Sequence, residues 1–378
     1  MSCQNKRYFC TYLDENYLPQ GLALVRSIGD HHANFVVFIC TMSSKAKDVL
    51  QKLQIKNVVV VPLRKVEEHS PILKKKKKER TKIEYYFTCT PILIHFLITA
   101  YSLPYIEYID ADMFFFESSN RIFEKTLKYS IAITPHRFAR TKEIHQKYGI
   151  YNVGWMFFRA DTEGLRCLKW WGERCLQWCF DKIDGDKYAD QKYLNRFQRL
   201  FTNVGIINIP GFNEAPWNIY PEKISFSNGK VLIGKNLLVL FHFSGLQKVF
   251  WRLFDPRWSD YLIKPNQALI RKIYKPYICL LSFWSNLLKN RIKSKSELRK
   301  INSFTLLKYS KNRVSFINEV RKRIQKQEYL LAFSYSFIYQ SVLRPKIARL
   351  KSLPVFMPRS QSKSGYTSFK SQYPQSNL

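Results

Sequence analysis

Up to about residue 160 the chain alternates between short β-rich runs and helical stretches, and this alternation restricts the fold more than any other feature. Residues 8–13 (YFCTYL), 35–42 (FVVFICTM) and 57–63 (NVVVVPL) read as strands, with helices over GLALVRSI and SSKAKDVLQKL between them. Ser43 or Ser44 is placed to cap the second helix. The run NVVVVPL is continuously apolar, as expected of a strand buried on both faces. A further helix through PILIHFLITAY leads into the strand YIEYIDADMFFF. Strand–helix repetition of this kind predicts an α/β fold, a mostly parallel sheet with helices on both faces. Ligands of such sheets bind beyond the carboxyl ends of the strands, which directs attention to Asp110–Asp112 at the end of the fourth.

The second half starts with two strand-like runs, SIAITP and YNVGWMFF, and a helix rich in Trp and Cys. ADQKYLNRF then opens a helix, and VGIINIP and NLLVLFHF are later strands. After about residue 258 the character changes: residues 266–378 hold 23 Lys and Arg against 3 acidic residues. Two apolar aromatic stretches lie in this region, at 276–288 and 329–343, each flanked by basic residues and each too short to span a bilayer. They suit either helices lying in an anionic membrane interface or helices docked on the preceding domain. The expected organisation is a catalytic domain over 1–258, a basic amphipathic region over 259–357 and a disordered Ser-, Gln- and Pro-rich end over 358–378.

The formal net charge of +34 bears on partners rather than on fold. The run KKKKKER (74–80) reads as a solvated loop, with phosphate or membrane contact as the alternative. No apolar leader and no long uncharged apolar run is seen, so the reading is a cytoplasmic protein, peripheral on the inner face of the cell membrane. The eight cysteines have no CxxC spacing and read as reduced thiols. Cys167, Cys175 and Cys179 are expected to pack among Trp170, Trp171 and Trp178 rather than to hold zinc. Aromatic residues, at 16%, suggest a groove that uses rings.

Asp110 and Asp112 alternate on an extended chain, so both carboxylates are expected to point the same way. Two such carboxylates repel each other unless a cation lies between them, and a hard divalent ion would accept their oxygens together with those of a diphosphate. His242 ends another apolar strand, in LLVLFHFSGLQK, where Gly245 lets the backbone approach a ligand and Lys248 supplies a cation for phosphate. Two carboxylates plus an imidazole favour manganese, with magnesium as the alternative.

These segments resemble the nucleotide-diphospho-sugar transferases of the GT-A fold, close to glycosyltransferase family 8. The resemblance covers most of residues 7–250, through TYLDENYLPQGLALVRSI, EYYFTCTP, YIDADMFFF, ITPHRF, YNVGWMFFR, ADQKYLN, APWN and FHFSGLQK in that order. It implies a metal held by Asp110, Asp112 and His242. It implies Asp14, Asn16 and Tyr17 near the base and ribose of a nucleotide, and Gly245 and Lys248 beside its diphosphate. Asn152 and Gly154 would line the donor-sugar pocket, and Asp190 and Gln191 would approach the anomeric centre. Three departures stand out: Lys192 after Asp190-Gln191, Val249-Phe250 after Lys248, and no phosphate-side arginine in YYFTCTP, although Arg80 and Lys82 lie nearby.

The implied reaction is hexose transfer from a nucleotide sugar, a UDP-sugar by expectation, to a glycan or glycolipid, with retention of configuration. With no second carboxylate in ADQK, same-face attack is expected rather than a covalent intermediate. Asn213, Trp217 and Asn218 could contact an acceptor sugar, or else serve a turn at Pro216. His136 and Arg137 could reach phosphate or cap a strand, while Glu84 and Glu117 read as surface or capping residues. Two rival functions remain: a polyanion- or nucleic-acid-binding protein, for which no specific motif is seen, and a nucleotidyltransferase, disfavoured by LDENY where a Gly-rich loop would stand.

Overall fold

The structure, a computed structural model, describes residues 6–250, 253–291 and 330–331. Its first elements follow the expected order: β1 (Arg7–Leu13), α1 (Leu18–His31), β2 (Phe35–Thr41), α2 (Ser44–Leu53) and β3 (Val58–Pro62). The Ser43 hydroxyl accepts from the Ala46 N–H and caps α2. Two short helices come next, α3 (Leu63–His69) and α4 (Pro71–Lys76). The lysine run is therefore not all loop: Lys74–Lys76 form the last turn of α4, where cations suit the helix dipole. Helix α5 (Lys82–Ala100) opens on a capping box, Thr81 accepting from Glu84 N while the Glu84 carboxylate accepts from Thr81 N. By length and composition α5 could cross a membrane, yet most of its apolar residues, Ile92–Ile94 and Phe96–Ile98 among them, are buried in the core.

β4 (Tyr105–Ile109) and β5 (Met113–Phe115) follow, then α6 (Asn120–Thr126), β6 (Ile131–Pro135), β7 (Tyr151–Arg159), α7 (Thr162–Gln177), α8 (Phe197–Leu200) and β8 (Val204–Ile206). The main sheet has the order β3-β2-β1-β4-β7-β6-β8, with only β7 running against its neighbours. This is the doubly covered, mostly parallel α/β architecture expected from the alternation. The pleat sorts its residues between two layers: Val36, Phe38 and Cys40 pack with Leu93 and Leu97 of α5 and Trp171 of α7. Val37 and Ile39 point the other way, toward Leu22 and Ile28 of α1 and Leu50 of α2. Cys167, Cys175 and Cys179 are buried free thiols of the first layer, beside Trp171.

At the amino end of β1 a buried ion pair ties adjacent strands. Arg7 reaches Glu107 through Nε at 2.6 Å and Nη2 at 2.7 Å, and Trp155 Nε1 donates to the same carboxylate at 3.2 Å. So dense a set of partners satisfies both charges away from water, at the end of the sheet remote from the Asp110–Asp112 turn.

The strand expected over YIDADMFFF is broken. Met113 N donates to Asp110 O, closing a turn over Asp110–Asp112, and β5 leaves the main sheet to pair with β12. The expected run NLLVLFHF is likewise divided. A small sheet of β9 (Ile224–Ser227), β10 (Lys230–Ile233) and β11 (Asn236–Leu237) precedes β12 (Leu240–His242), which runs antiparallel to β5 with His242 opposite Met113. β13 (Gln247–Phe250) and β14 (Leu253–Asp255) form a hairpin.

Residue 258 is not a packing boundary. Helix α9 (Lys275–Arg291), entered through a π-helical turn at Leu269–Tyr274, lies on α1 and joins a third core layer with Phe241, Phe243 and Trp258. The apolar stretch 276–288 thus belongs to the docked alternative. The stretch 329–343 falls outside the described residues except for the backbone of Leu330–Leu331, which pairs with β14, and 358–378 falls outside them wholly. Tyr277 is buried, its ring stacked on Phe243 at 3.8 Å between centroids. Tyr277→Ala is expected to lower the unfolding free energy by about 3–5 kcal/mol in urea melts, as for a buried aromatic. A loss below about 1 kcal/mol would mean that α9 does not hold the fold.

Candidate active site

One cavity of about 700 Å³ opens at the carboxyl ends of β1, β4 and β6, beside the amino end of the reversed strand β7. It lies where the sheet order turns back between β1 and β4, the switch point at which such sheets leave a crevice. β1 delivers Asp14, the β4–β5 turn delivers Asp110 and Asp112, β7 delivers Asn152 and Gly154, and β12 delivers His242.

Asp110 and Asp112 do not alternate on a strand, since the turn replaces it, but their carboxylates still converge. His242 Nε2 stands 3.1 Å from Asp112 Oδ1 and 3.7 Å from Asp110 Oδ2. The Tyr108 hydroxyl donates to the other Asp110 oxygen at 2.7 Å. Burial raises the Asp110 pKa, His242 works against the rise, and Asp112 adds to it. For His242 burial pulls the pKa down, but Asp112 and Asp110 together carry it above the ordinary histidine value. The three donor atoms lie within 4.8 Å of one another, and theirs is the one such group among the described residues. Two carboxylates and an imidazole this close fit a divalent cation, which would remove the repulsion now borne by Asp110.

The surroundings hold that arrangement. Asp110 N donates to Gly154 O, and Gly154 N donates to Asn152 Oδ1. A Cβ on Gly154 would lie 2.6 Å from Asn152 Oδ1 and 2.7 Å from His242 Nδ1, so only glycine leaves room for both. The Trp217 ring meets His242 edge-on at 5.2 Å and His136 at 5.1 Å, fixing the imidazole from the side. Burial drives the His136 pKa down to about 3, so its ring is neutral. Gly245 lines the wall in the left-handed region, φ +79°, a conformation that glycine adopts without strain.

Asp14, Asn16, Tyr17, Asn152, Gly154, Asp190, Gln191, Trp217 and Gly245 all line the cavity with the Asp110–Asp112–His242 group. Lys248 does not: it is exposed on β13, near the charge of Lys289. Asn213 and Asn218 do not either, for their side chains are committed to the scaffold. Asn213 donates to Thr134 Oγ1 and Asn152 Oδ1, while Asn218 accepts from Ala215 N and donates to His136 O. Arg137 also serves the scaffold, with bonds to Ile209 O, Phe212 O and the Glu214 carboxylate. Residues that the motifs did not single out complete the wall: Tyr12, Lys82, Tyr86, Phe138, Tyr148, Tyr188 and Tyr261. The aromatic content was the one signal of the rings in the sequence, Lys82 was noted there as a cation near YYFTCTP, and Tyr261 comes from beyond the expected domain boundary.

Asp190 is nearly fully buried, and its backbone carbonyl accepts from Trp171 Nε1. Burial lifts its carboxyl pKa to about 7; the Thr90 hydroxyl opposes the rise and Asp110 adds to it. Gln191 donates to Tyr148 O, which sets its amide at the cavity wall.

A doubly covered α/β sheet with an Asp-x-Asp turn and a histidine gathered at its switch point is the class that fold and site define. No family model matches the chain. It is 32% identical to the uncharacterized protein YfnF of Bacillus subtilis (strain 168) over 250 residues, 64% of this chain and 82% of that one. The chain belongs to the family of YfnF. A second Bacillus subtilis protein, the uncharacterized YfnD, is 29% identical over 281 residues, 73% of this chain and 89% of that one. Among solved structures, the galactosyltransferase LgtC with donor and acceptor sugar analogs matches 78% of this chain and 99% of its own, at 14% identity and a TM-score of 0.48. The glycosyltransferase GlyE of Streptococcus pneumoniae TIGR4 matches 76% of this chain and 63% of its own, at 12% identity and a TM-score of 0.44.

The Asp190 shift has a stability consequence. Below about pH 4 the carboxyl is protonated folded or unfolded; between about 4 and 7 the unfolded chain ionises while the fold retains the proton, so rising pH costs stability. Above about 7 the penalty is constant. In metal-free protein, Asp190→Asn is expected to melt several degrees above the wild type at pH 8, with the difference closing toward pH 4. Parallel melting curves across that range would refute the buried, neutral carboxyl.

Proposed function

We propose that this protein is a metal-dependent glycosyltransferase that moves a hexose from a nucleoside-diphosphate sugar, a UDP-sugar in our reading, to a glycan or glycolipid acceptor. The observation that carries the reading is the gathering of Asp110, Asp112 and His242 with Asp190 in one aromatic-walled cavity at the switch point of the sheet. Asp110, Asp112 and His242 would hold manganese or magnesium, which when bound neutralises the charge that develops on a departing diphosphate.

The other residues bind and orient. The rings of Tyr148 and Tyr188 offer stacking surfaces for sugar rings and exclude water. Asp190, its carboxyl pushed up to about 7 by burial, keeps a protonated fraction near neutral pH. In that form it is a poor nucleophile that can donate a hydrogen bond to a sugar hydroxyl. That supports same-face attack over a covalent adduct. The anomeric carbon–oxygen bond breaks with its electron pair going to the diphosphate. The acceptor oxygen then bonds to the same face, and its proton passes to the departing phosphate oxygen. Trapping a glycosyl adduct on Asp190 would overturn this route.

The test of the whole reading is calorimetric titration of UDP into metal-stripped protein, with and without manganese, for the wild type and Asp112→Ala. Manganese-dependent binding is expected in the wild type, with at least a tenfold loss in the variant, in line with removal of a metal ligand. Binding that ignores both metal and substitution would reject the metal–diphosphate site. No binding at all would reject the UDP assignment and favour a polyanion-binding role for the basic chain.

A further inference from the structure

The carboxylates of Asp14, Asp110, Asp112 and Asp190 face the cavity, while Lys82 is the only lysine or arginine on its wall among the described residues. A diphosphate entering such a space needs cationic partners besides any metal, because charge taken out of water must be paired. Neither of the other nearby candidates offers one. Arg80 is buried, with its guanidinium bound to Thr88 Oγ1 and, at 3.0 Å, to Leu176 O. Lys248 is exposed and lies off the wall.

Lys82 is placed differently. It occupies the first position of α5, its side chain is 61% exposed, and its Nζ lies 2.6 Å from Asp14 Oδ2. That oxygen also accepts from the Tyr86 hydroxyl at 3.2 Å, while Asp14 Oδ1 accepts from Asn16 N at 2.8 Å. Both Asp14 oxygens are thus occupied, although its carboxylate borders the cavity. A half-exposed lysine pair of this kind is weakly held, and four rotatable methylenes let the ammonium move to a stronger anion.

We propose that Lys82 is the protein's diphosphate-binding cation and that it works by exchange: it leaves Asp14 for the phosphate oxygens and so frees Asp14 Oδ2 to accept an N–H or O–H of the nucleoside. The inference rests on the nucleotide-sugar reading above and adds the residue that recognises the phosphates. It also makes the Asp14–Lys82 pair the resting state of the nucleotide subsite. Asp14 and Tyr86 hold the ammonium at the mouth until an anion arrives.

The experiment titrates UDP, uridine and inorganic pyrophosphate into manganese-loaded wild type, Lys82→Gln and Lys82→Arg. Melting temperatures check that each variant is folded. Lys82→Gln is expected to weaken UDP and pyrophosphate about tenfold or more, the scale of a lost charged hydrogen bond, with uridine weakened less than about twofold. Lys82→Arg should restore most of the UDP affinity, and the salt dependence of UDP binding should be shallower in Lys82→Gln. Unchanged UDP affinity in Lys82→Gln would overturn the proposal. Equal weakening of UDP and uridine would also overturn it, since Lys82 would then act only by holding Asp14. Wild type that binds neither UDP nor pyrophosphate would instead remove the nucleotide-sugar reading itself.

Discussion

The antiparallel pairing of β5 with β12 sets His242 opposite Met113, one residue beyond Asp112. Through that register an imidazole from late in the chain meets two carboxylates from its middle. Slipping the pairing by one residue would turn the histidine to the other face and leave Asp110 and Asp112 repelling each other with nothing between them. The rest of the site is arranged around this contact. Gly154 leaves the space that the His242 ring and the Asn152 amide share, and Trp217 closes the open side of the ring. Phe243, the next residue, is clamped by Tyr277 of α9, so a helix far along the chain braces the metal-type centre from behind.

Burial does much of the chemistry that composition cannot. The cavity brings four aspartates together in an otherwise strongly basic protein. Desolvation there pushes the Asp190 carboxyl up to about 7 and lifts Asp110 above the carboxylate norm. An electronegative, partly desolvated pocket inside a basic chain is suited to cations first and to anions only in their company.

Much of this could be read from the residues alone. The repeated strand–helix pattern made the parallel sheet legible because a strand buried on both faces must be apolar throughout, as β2 is over residues 36–40. β3, read the same way, lies at the edge of the sheet with only Val61 of residues 58–61 buried. Ser43 announced a helix start through an oxygen placed to accept an otherwise orphaned N–H. Reading went astray where a tertiary demand overrode local pattern. YIDADMFFF has the composition of one strand but turns at Asp110–Asp112, because β5 must leave the main sheet to meet β12. For Asn213 and Asn218 the sequence left sugar contact and a turn at Pro216 open, and in the structure their amides bond Thr134 Oγ1 and His136 O.

By itself, then, the sequence determined the class of sheet, the end of that sheet at which the cavity opens, and the three side chains, Asp110, Asp112 and His242, that converge there. Such properties depend on periodicity and on chemistry carried by single residues. Only the tertiary structure decided that Lys82 rather than Arg80 or Lys248 faces the cavity, that Tyr261 belongs to its wall, and that residues 276–288 brace the core. Those outcomes depend on which side chains find partners in three dimensions. A buried guanidinium tied to Thr88 and Leu176 lies off the cavity wall, while an ammonium held by Asp14 and the Tyr86 ring stands at the cavity mouth.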